Sequence, residues 1–344
     1  MGIGMFLAVI GGISDASMAF AMGLAKRWKW ENIWFVWSCS ALVILPWLIV
    51  FAFVRDPVAA YLKAPDHLLM ALLLGTGWGV GAVLFGLGIV RVGMGLGLGI
   101  VVSLATALGA LIPLLVLQPE AVGTVQGGTV ILALVLVVGG IVLCAIAASR
   151  RKEEKPLLER ESANFMVGLI LCVLAGCFSA LLNHAIAFSG NIPIVAVEFV
   201  RATEPGAAME IGKGITQLAP ILSAGFLANA VYCIFLLFRN RSWKDYVAPN
   251  TGSHWFFGVL MSVLQLSGFL ILTISAILIG EWGPILAWPI YTVMTILTGN
   301  FEGLLRGEWR GSDRKTFVYL SVGIVVLVVS VVVLAYSGWL ASQG

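Results

Sequence analysis

Charged residues are scarce in this chain of 344 residues: only 11% are Asp, Glu, Lys or Arg, whereas 60% are hydrophobic. A soluble domain carries about 25% charged residues, so this chain lacks the polar side chains needed to cover a globular surface in water. Apolar runs of roughly 20 residues recur along the sequence, and each can cross about 30 Å of hydrocarbon as a helix. The composition excludes an ordinary soluble protein and predicts a multi-pass membrane protein.

Residues that usually carry catalysis are also few. The chain has three widely separated histidines and no phosphate-binding loop, metalloprotease or nucleophile-elbow motif. The five cysteines fall in apolar segments without a C-x-x-C pair and read as small buried side chains: Cys39, Cys144, Cys172, Cys177 and Cys233. We therefore expect neither an enzyme nor an ATP-driven pump, and no cofactor, metal or nucleic-acid partner.

Apolar windows between polar breaks predict ten membrane-spanning helices. The predicted spans are 3–24, 31–54, 67–90, 94–117, 127–148, 164–188, 215–238, 254–278, 283–304 and 316–338. The connection 189–214 is predicted to lie outside, and its apolar piece IPIVAVEFV is compatible with an interfacial or a short re-entrant segment. The expected fold is an all-α polytopic membrane protein.

Basic residues provide a test of this count, because cytoplasmic loops carry an excess of Lys and Arg. Sixteen of the twenty basic residues follow odd-numbered predicted helices, so the alternation fits ten spans. Both termini are then predicted to lie outside, in the periplasm, for a protein of the inner membrane.

The charged stretch RRKEEKPLLERES divides the chain into two five-helix halves. We predict a first repeat at 1–150, a cytoplasmic linker at 151–163 and a second repeat at 164–344. Because each half has an odd number of helices, the second half enters the membrane inverted. Inverted repeats are common in secondary transporters, which hold substrate near the midplane between the halves.

Glycine is concentrated in the stretch GTGWGVGAVLFGLGIVRVGMGLGLG, residues 75–99. Its spacing never satisfies the dinucleotide fingerprint G-x-G-x-x-G. It does contain overlapping small-xxx-small patterns, such as Gly75 with Gly79 and Gly77 with Gly81. In lipid such patterns let helices approach closely, so we expect tight helix packing or a sliding surface here, not ligand binding.

Polar residues within the predicted spans are candidate functional residues, because they are costly at membrane depth. An aspartate at mid-membrane favours its protonated form, so Asp15 is a candidate proton carrier, and His184 is a second. An aspartate bonded only to neighbouring Ser14, Ser17 or the backbone is the structural alternative. Amides, hydroxyls and aromatic rings would suit a neutral polyhydroxylated solute, and the predicted substrate-binding residues are Trp78, Ser103, Thr106, Asn183, Asn229, Gln265, Trp288, Tyr291 and Thr292. Asn229 and Gln265 are equally able to join helices by hydrogen bonds.

Several stretches resemble the bacterial L-rhamnose–proton symporter family of the drug/metabolite transporter superfamily. The matching stretches are KWENIW, ILPW, GWGVG, GLGIVRVGMGLGLGI, GCFSA and GEWRGSDRK. Trp78 and Gln265 fit the pattern of that family, whereas Asp15 and His184 occupy positions where it has small or apolar residues. The resemblance implies a ten-helix inverted-repeat fold and cotransport of a deoxysugar with a proton.

The sequence thus predicts a proton-coupled symporter that imports L-rhamnose or a similar sugar across the inner membrane by alternating access. Its expected partners are the sugar, the proton as coupling ion and the lipid bilayer. The alternative within transporters is a drug/metabolite-type carrier or exporter of another small metabolite. A membrane-embedded enzyme acting on lipid-linked sugars and a passive channel are the alternatives from other classes.

Overall fold

Ten long helical segments make up most of the protein. The structure is a computed structural model that describes residues 1–25, 27–151 and 162–343. The segments are α1 Gly2–Leu24, α2 Trp30–Phe53, α3 Pro65–Val92, α4 Met94–Leu117, α5 Val125–Arg151, α6 Ser162–Ser179 continuing as Leu181–Phe188, α7 Ala207–Arg239, α8 Gly252–Ile279, α9 Gly283–Leu305 and α10 Arg314–Ala341. Short helices at Pro57–Leu62 and Asn191–Ala196 lie in the connections after α2 and α6.

By length and hydropathy, the described residues contain nine candidate membrane spans. The long range Gly252–Leu305 counts as one of them, although it comprises both α8 and α9, joined by the 3-10 turn Gly280–Trp282. An all-helical membrane protein is therefore confirmed, and ten separate crossings stay a prediction. The predicted linker 151–163 falls mainly on 152–161, outside the described residues.

Two helices differ from the predicted spans. The helix α7 begins at Ala207, well before the predicted start at 215. Its first turns carry Glu210 and Lys213, whose charges lower the local hydropathy, although the two side chains pair at 2.9 Å and support the helix. The helix α2 contains a π-helical stretch, Ser40–Ile44, which hydropathy cannot predict.

The glycine-rich stretch lies in α3 and α4, and its α3 part packs closely against two other helices. On one face of α3, Gly75 and Gly79 contact the backbone of α7 at Ile221 and Gly225. On a second face, a Cβ at Gly81 would lie 2.9 Å from the Phe178 Cβ in α6. Glycine at every second position therefore serves two interleaved i,i+4 faces, and the prediction of tight packing is confirmed.

The helices of the two halves pack in corresponding pairs. In the first half, α1 packs mainly against α8 and α9 of the second half. In the second half, α6 packs mainly against α3 and α4 of the first half. The last helices of the halves, α5 and α10, pack against each other.

Loops join the halves at both ends of the helices. At one end, which we call the basic face, Asn32 Nδ2 donates to the Ser242 carbonyl at 2.9 Å and Arg150 pairs with Asp313 at 3.1 Å. At the opposite face, Val54 and Val200 form an isolated β-bridge. Gly338 near the C-terminus packs on Met5 near the N-terminus, so the two terminal helix ends lie together.

Candidate functional site

Asp15 lies near the middle of α1 and bonds to side chains of two other helices. Its carboxylate accepts from Gln265 Nε2 of α8 at 3.0 Å. Thr295 Oγ1 of α9 lies 3.5 Å from the same carboxylate, although this hydroxyl is closer to the Tyr291 carbonyl of its own helix, at 3.0 Å. The neighbouring serines bond elsewhere: Ser14 Oγ donates to the Leu264 carbonyl and Ser17 Oγ to the Ile13 carbonyl. The structure therefore places Asp15 at a junction of three helices rather than in a local turn of hydrogen bonds.

Small residues explain how the Asp15 side chain reaches that junction. A Cβ at Gly268 of α8 would lie 2.9 Å from the Gly11 carbonyl oxygen and 3.0 Å from the Asp15 Cβ. A Cβ at Gly12 would collide with the backbone of α9 at Tyr291. The glycines hold α1 against α8 and α9 at this depth, and the carboxylate is directed between them.

Two polar atoms in the junction have unused hydrogen-bonding capacity. The buried Tyr291 hydroxyl lies beside the Asp15 carboxyl, but it has no hydrogen-bond partner of good geometry among the described residues. The buried Gln265 Oε1 likewise has no partner within the described part of the chain. An unsatisfied buried polar atom is costly, so the junction is able to accept a proton, water or a polar ligand group.

A cavity of about 390 Å³ runs from this junction toward the basic face. Its walls come from α1, α4, α5 and α9, and small residues such as Ala16, Gly95 and Gly99 leave the space open. Thr292 and Thr295 line it near Asp15, and Glu308 and Trp309 line it near the loop after α9. We call it the Thr295 cavity, because that residue both lines it and bonds to Asp15.

A second group of predicted residues joins α4, α6 and α9. Asn183 Nδ2 donates to the carbonyls of Gly109 at 2.6 Å and Pro284 at 2.9 Å, one on α4 and one on α9. Trp288 Nε1 donates to the Ala105 carbonyl at 3.0 Å. His184 Nε2 lies 3.0 Å from the Leu108 carbonyl, so this imidazole contacts backbone. These bonds hold the three helices together between the Asp15 junction and the face opposite the basic one.

The remaining predicted residues lie apart from the Asp15 junction or bond within their own helix. Trp78 packs its ring on Gly225 and against Phe269 at 5.7 Å. Thr106 donates to the Val102 carbonyl of its own helix at 2.7 Å, and Ser103 is buried. The predicted binding residues thus form separate clusters, of which the Asp15 junction contains Gln265 and Tyr291, with Thr292 on the adjoining cavity.

Asn229 is bonded through both ends of its amide. Its Oδ1 accepts from Trp34 Nε1 of α2 at 3.1 Å, and its Nδ2 donates to the Gly225 carbonyl at 3.1 Å. Trp34 belongs to the KWENIW motif, so this contact gives the motif a packing role that spacing alone did not indicate. The geometry favours a hydrogen bond that joins helices.

We expect Asn229→Ala to destabilise the protein by about 0.6 kcal/mol, the average for such bonds in membranes, and to leave the KM for transport unchanged. Thermal unfolding of the purified variant and initial uptake rates check both parts. A KM raised tenfold in a normally stable variant would instead assign Asn229 to substrate binding.

The site offers amides, hydroxyls, aromatic rings and a carboxylate. Among the described residues, no group of three or more His, Cys, Asp or Glu side chains is arranged to hold a metal ion. The arrangement is able to bind a proton at Asp15 and to exchange hydrogen bonds with a polar neutral solute.

The sequence analysis missed two polar residues, Lys213 and Gln217 of α7, that line a cavity at the opposite face. Gln217 is a polar residue in an apolar helix, so the criterion that selected Asn229 applied to it as well. It lies near the start of the predicted span 215–238, whereas Asn229 lies near the middle.

The helices, the buried carboxylate and its adjoining cavity define a multi-pass helical membrane protein with a polar interior. The sequence model of the L-rhamnose-proton symport protein (RhaT) family matches residues 1–338. The chain belongs to this family, which is one of transporters and not of enzymes.

Curated relatives cover nearly the whole chain. A protein of Klebsiella pneumoniae named L-rhamnose-proton symporter is 28% identical over 338 residues, 95% of each chain. The protein of the same name from Escherichia coli is 27% identical over 343 residues, again 95% of each chain. The resemblance stated from the sequence is thus confirmed at the level of the family.

Proposed function

We propose that this protein is a proton-coupled carrier that imports L-rhamnose or a similar sugar by alternating access. Family membership supports the substrate and the coupling, since the curated relatives are named L-rhamnose-proton symporters. The observation that carries the proposal is the Asp15 carboxylate, which accepts from Gln265 and has the Thr295 hydroxyl beside it at the junction of three apolar helices.

Asp15 is suited to carry the coupling proton. Among the described residues, no Lys, Arg or His side chain forms an ion pair with it, so its bonded partners there are neutral. A carboxylate in hydrocarbon is expensive when charged, and a proton removes that charge. The protonated carrier is then able to reorient with sugar, and release of the proton on the other side resets it.

The proposal includes ten crossings arranged as two inverted repeats. The corresponding pairs of helices support it: α1 against α8 and α9 is matched by α6 against α3 and α4. The helices α5 and α10, which pack against each other, are the fifth helix of each half. Their contact is therefore expected on the two-fold axis that would relate the halves. A glycine turn at Gly280, with φ of +83°, supports a reversal of the chain between α8 and α9.

We further propose that the basic face is cytoplasmic and that both termini are periplasmic. Loops and helix ends of the basic face hold Arg27, Lys29, Arg239, Arg241 and Arg306, in accord with the charge rule for inner-membrane proteins. In this orientation the Thr295 cavity opens to the cytoplasm. It then provides the route by which sugar and proton leave the Asp15 junction.

Sugar recognition is assigned to the polar and aromatic residues that flank this route. Gln265 Oε1 and the Tyr291 hydroxyl have unused hydrogen-bonding capacity within the described chain, as sugar hydroxyls require. The Trp288 and Tyr291 rings are buried and stacked with centroids 6.1 Å apart, and the apolar faces they would expose when the helices reorient suit the C–H side of a sugar. His184 stays a candidate for proton coupling.

We expect Thr295→Val to slow proton-coupled uptake about tenfold, equivalent to about 1.4 kcal/mol of barrier. The substitution keeps the volume but removes the hydroxyl that links Asp15 to the cavity. Sugar exchange at equal pH on both sides should change less, because it needs no net proton release.

Thr273→Val is the matched control for this variant. Thr273 is a buried threonine of α8, and its hydroxyl donates to the Phe269 carbonyl of its own helix at 2.8 Å. Initial uptake rates of both variants in proteoliposomes make the comparison. Equal uptake rates in the two variants would show that the Thr295 hydroxyl is not part of the proton route.

The function itself is tested by uptake of radiolabelled L-rhamnose into proteoliposomes with and without an inward proton gradient. Accumulation that requires the gradient and is competed by unlabelled L-rhamnose is the expected result. Uptake that ignores the gradient would exclude coupling. A folded protein that transports no sugar would point to another metabolite as substrate.

A further inference from the structure

A second cavity, of about 550 Å³, lies at the face opposite the basic one. We call it the vestibule. Its walls include Ile186, Pro193, Lys213, Gln217, Glu281 and Pro284, contributed by the ends of several helices. Sites for small ligands measure about 300–1,000 Å³ and combine apolar walls with a few converging polar groups, and the vestibule has both properties.

The amide of Gln217 is fixed so that only its oxygen remains unpaired. Its Nε2 donates to the Ile186 carbonyl at 2.8 Å and to Ser189 Oγ at 3.0 Å, which orients the group. The side chain is only 1% exposed, and its Oε1 has no hydrogen-bond partner in the described part of the chain. A buried acceptor without a partner costs about 1–3 kcal/mol, so its retention calls for an explanation.

A second amide, which bonds to a wall residue but does not itself line the vestibule, repeats this arrangement. Asn183 Nδ2 donates to the carbonyls of Gly109 and of Pro284, and Pro284 is a wall residue. Asn183 Oδ1 is buried and, like Gln217 Oε1, has no partner among the described residues. Both amides thus use their NH₂ groups to donate to backbone carbonyls or a serine, and the oxygen of each amide is left as an unpaired acceptor.

Unpaired acceptors select the chemistry of a ligand. Carboxylates and phosphates offer no donors to an amide oxygen, whereas each hydroxyl of a sugar or polyol is a donor. The charged groups at the vestibule are already engaged: Lys213 bonds to Glu210 at 2.9 Å, and Glu281 accepts from Gln118 Nε2 at 3.2 Å. The apolar walls then match the C–H face of a monosaccharide.

We propose that the vestibule is a binding site for a neutral polyhydroxylated ligand of monosaccharide size, whose hydroxyl donates to Gln217 Oε1. This site is separate from the Asp15 junction, because Trp288, bonded to the Ala105 carbonyl, lies on α9 between the wall residue Pro284 and Tyr291 of the junction. The identity of the ligand rests on the proposed function, under which L-rhamnose binds here before it passes to the junction.

Two variants test the vestibule, one chemical and one steric. Gln217→Leu removes the acceptor, and Ala187→Trp fills the cavity from a wall residue without altering either amide. We expect both to raise the KM for L-rhamnose uptake tenfold or more while kcat changes less than twofold. Gln126→Leu, which alters a half-buried glutamine of α5 that does not line the vestibule, is the control and should keep the wild-type KM.

Ligand-induced thermal shifts provide a readout that does not depend on transport. L-rhamnose or glycerol-series polyols should raise the unfolding temperature of the wild-type protein, and Ala187→Trp should reduce the shift, with only the part due to sugar at the Asp15 junction remaining. If no sugar or polyol shifts the wild-type protein, the vestibule holds only water and the proposal is overturned. Folded variants that keep the wild-type KM and thermal shift overturn it as well.

The same data separate this proposal from the proposed function. A wild-type protein that shows the vestibule-dependent thermal shift but transports no L-rhamnose keeps the vestibule site and overturns rhamnose transport. If the protein transports L-rhamnose with a KM that neither variant changes, rhamnose transport stands and the vestibule site is overturned.

Discussion

Asp15→Asn abolishes the accumulation of L-rhamnose against its gradient while sugar exchange across the membrane continues. Asparagine keeps the size of the side chain and an oxygen that accepts from Gln265 Nε2, a bond that measures 3.0 Å in the structure. It cannot release a proton, so the neutral state becomes permanent. The variant should therefore behave as a carrier locked in its protonated form.

The size of this effect follows from the driving force. A potential of 100 mV acting on one charge is worth about 2.3 kcal/mol, which supports roughly fifty-fold accumulation of the sugar. In Asp15→Asn the ratio of internal to external sugar should fall to about one. Uptake of labelled L-rhamnose under an imposed gradient measures that ratio, and counterflow with unlabelled sugar measures exchange.

Asp66→Asn is the matched control, because Asp66 is an exposed aspartate in the first turn of α3. It should accumulate sugar as the wild-type protein does. If Asp15→Asn also accumulates sugar normally, the coupling proton is carried elsewhere, and His184 becomes the group to test.

Gly79→Leu prevents the formation of stable folded protein. The α3–α7 contact has no space for a side chain at this position: a Cβ would lie 2.7 Å from the Gly225 Cα and 2.8 Å from its carbonyl carbon. These are backbone atoms, which no rotamer change can move away. Overpacking costs about 1–3 kcal/mol where side chains adjust, so we expect about 3 kcal/mol or more here.

Gly86→Leu tests the same substitution on the same helix without the contact. No atom lies within 4 Å of a Cβ built at Gly86. This variant should fold at least as well as the wild-type protein, since Gly is about 1 kcal/mol worse than Ala inside a helix. The yield of monodisperse protein and its unfolding temperature distinguish the two. Similar behaviour of both variants would contradict the proposed tight α3–α7 packing.

The sequence was sufficient to predict the helical segments because each is long and apolar. It was also sufficient to predict that Gly75 and Gly79 allow close packing, since their i,i+4 spacing places them on one helix face. It could not identify the partner helix, because that choice depends on contacts such as Gly79 with Gly225, far apart along the chain. Periodicity shows which residues share one face of a helix, but it does not show which helix packs against that face.

The same limit applies to the site. Asp15 stood out because a carboxylate in an apolar helix is costly wherever the helix packs. Its bond to Gln265 required the tertiary structure, in which Gly11 and Gly268 bring two helices of different halves together. Gln217 was missed because depth along a predicted span is a poor guide when the helix begins earlier than its apolar stretch.

The most direct test of proton-coupled sugar transport is the external pH of lightly buffered, de-energised proteoliposomes when L-rhamnose is added. Sugar entering with protons should make the medium more alkaline with wild-type protein, and neither protein-free vesicles nor Asp15→Asn should produce the change. An unchanged pH with folded wild-type protein that takes up L-rhamnose would contradict coupling. An equal alkalinisation with Asp15→Asn would contradict the role of Asp15.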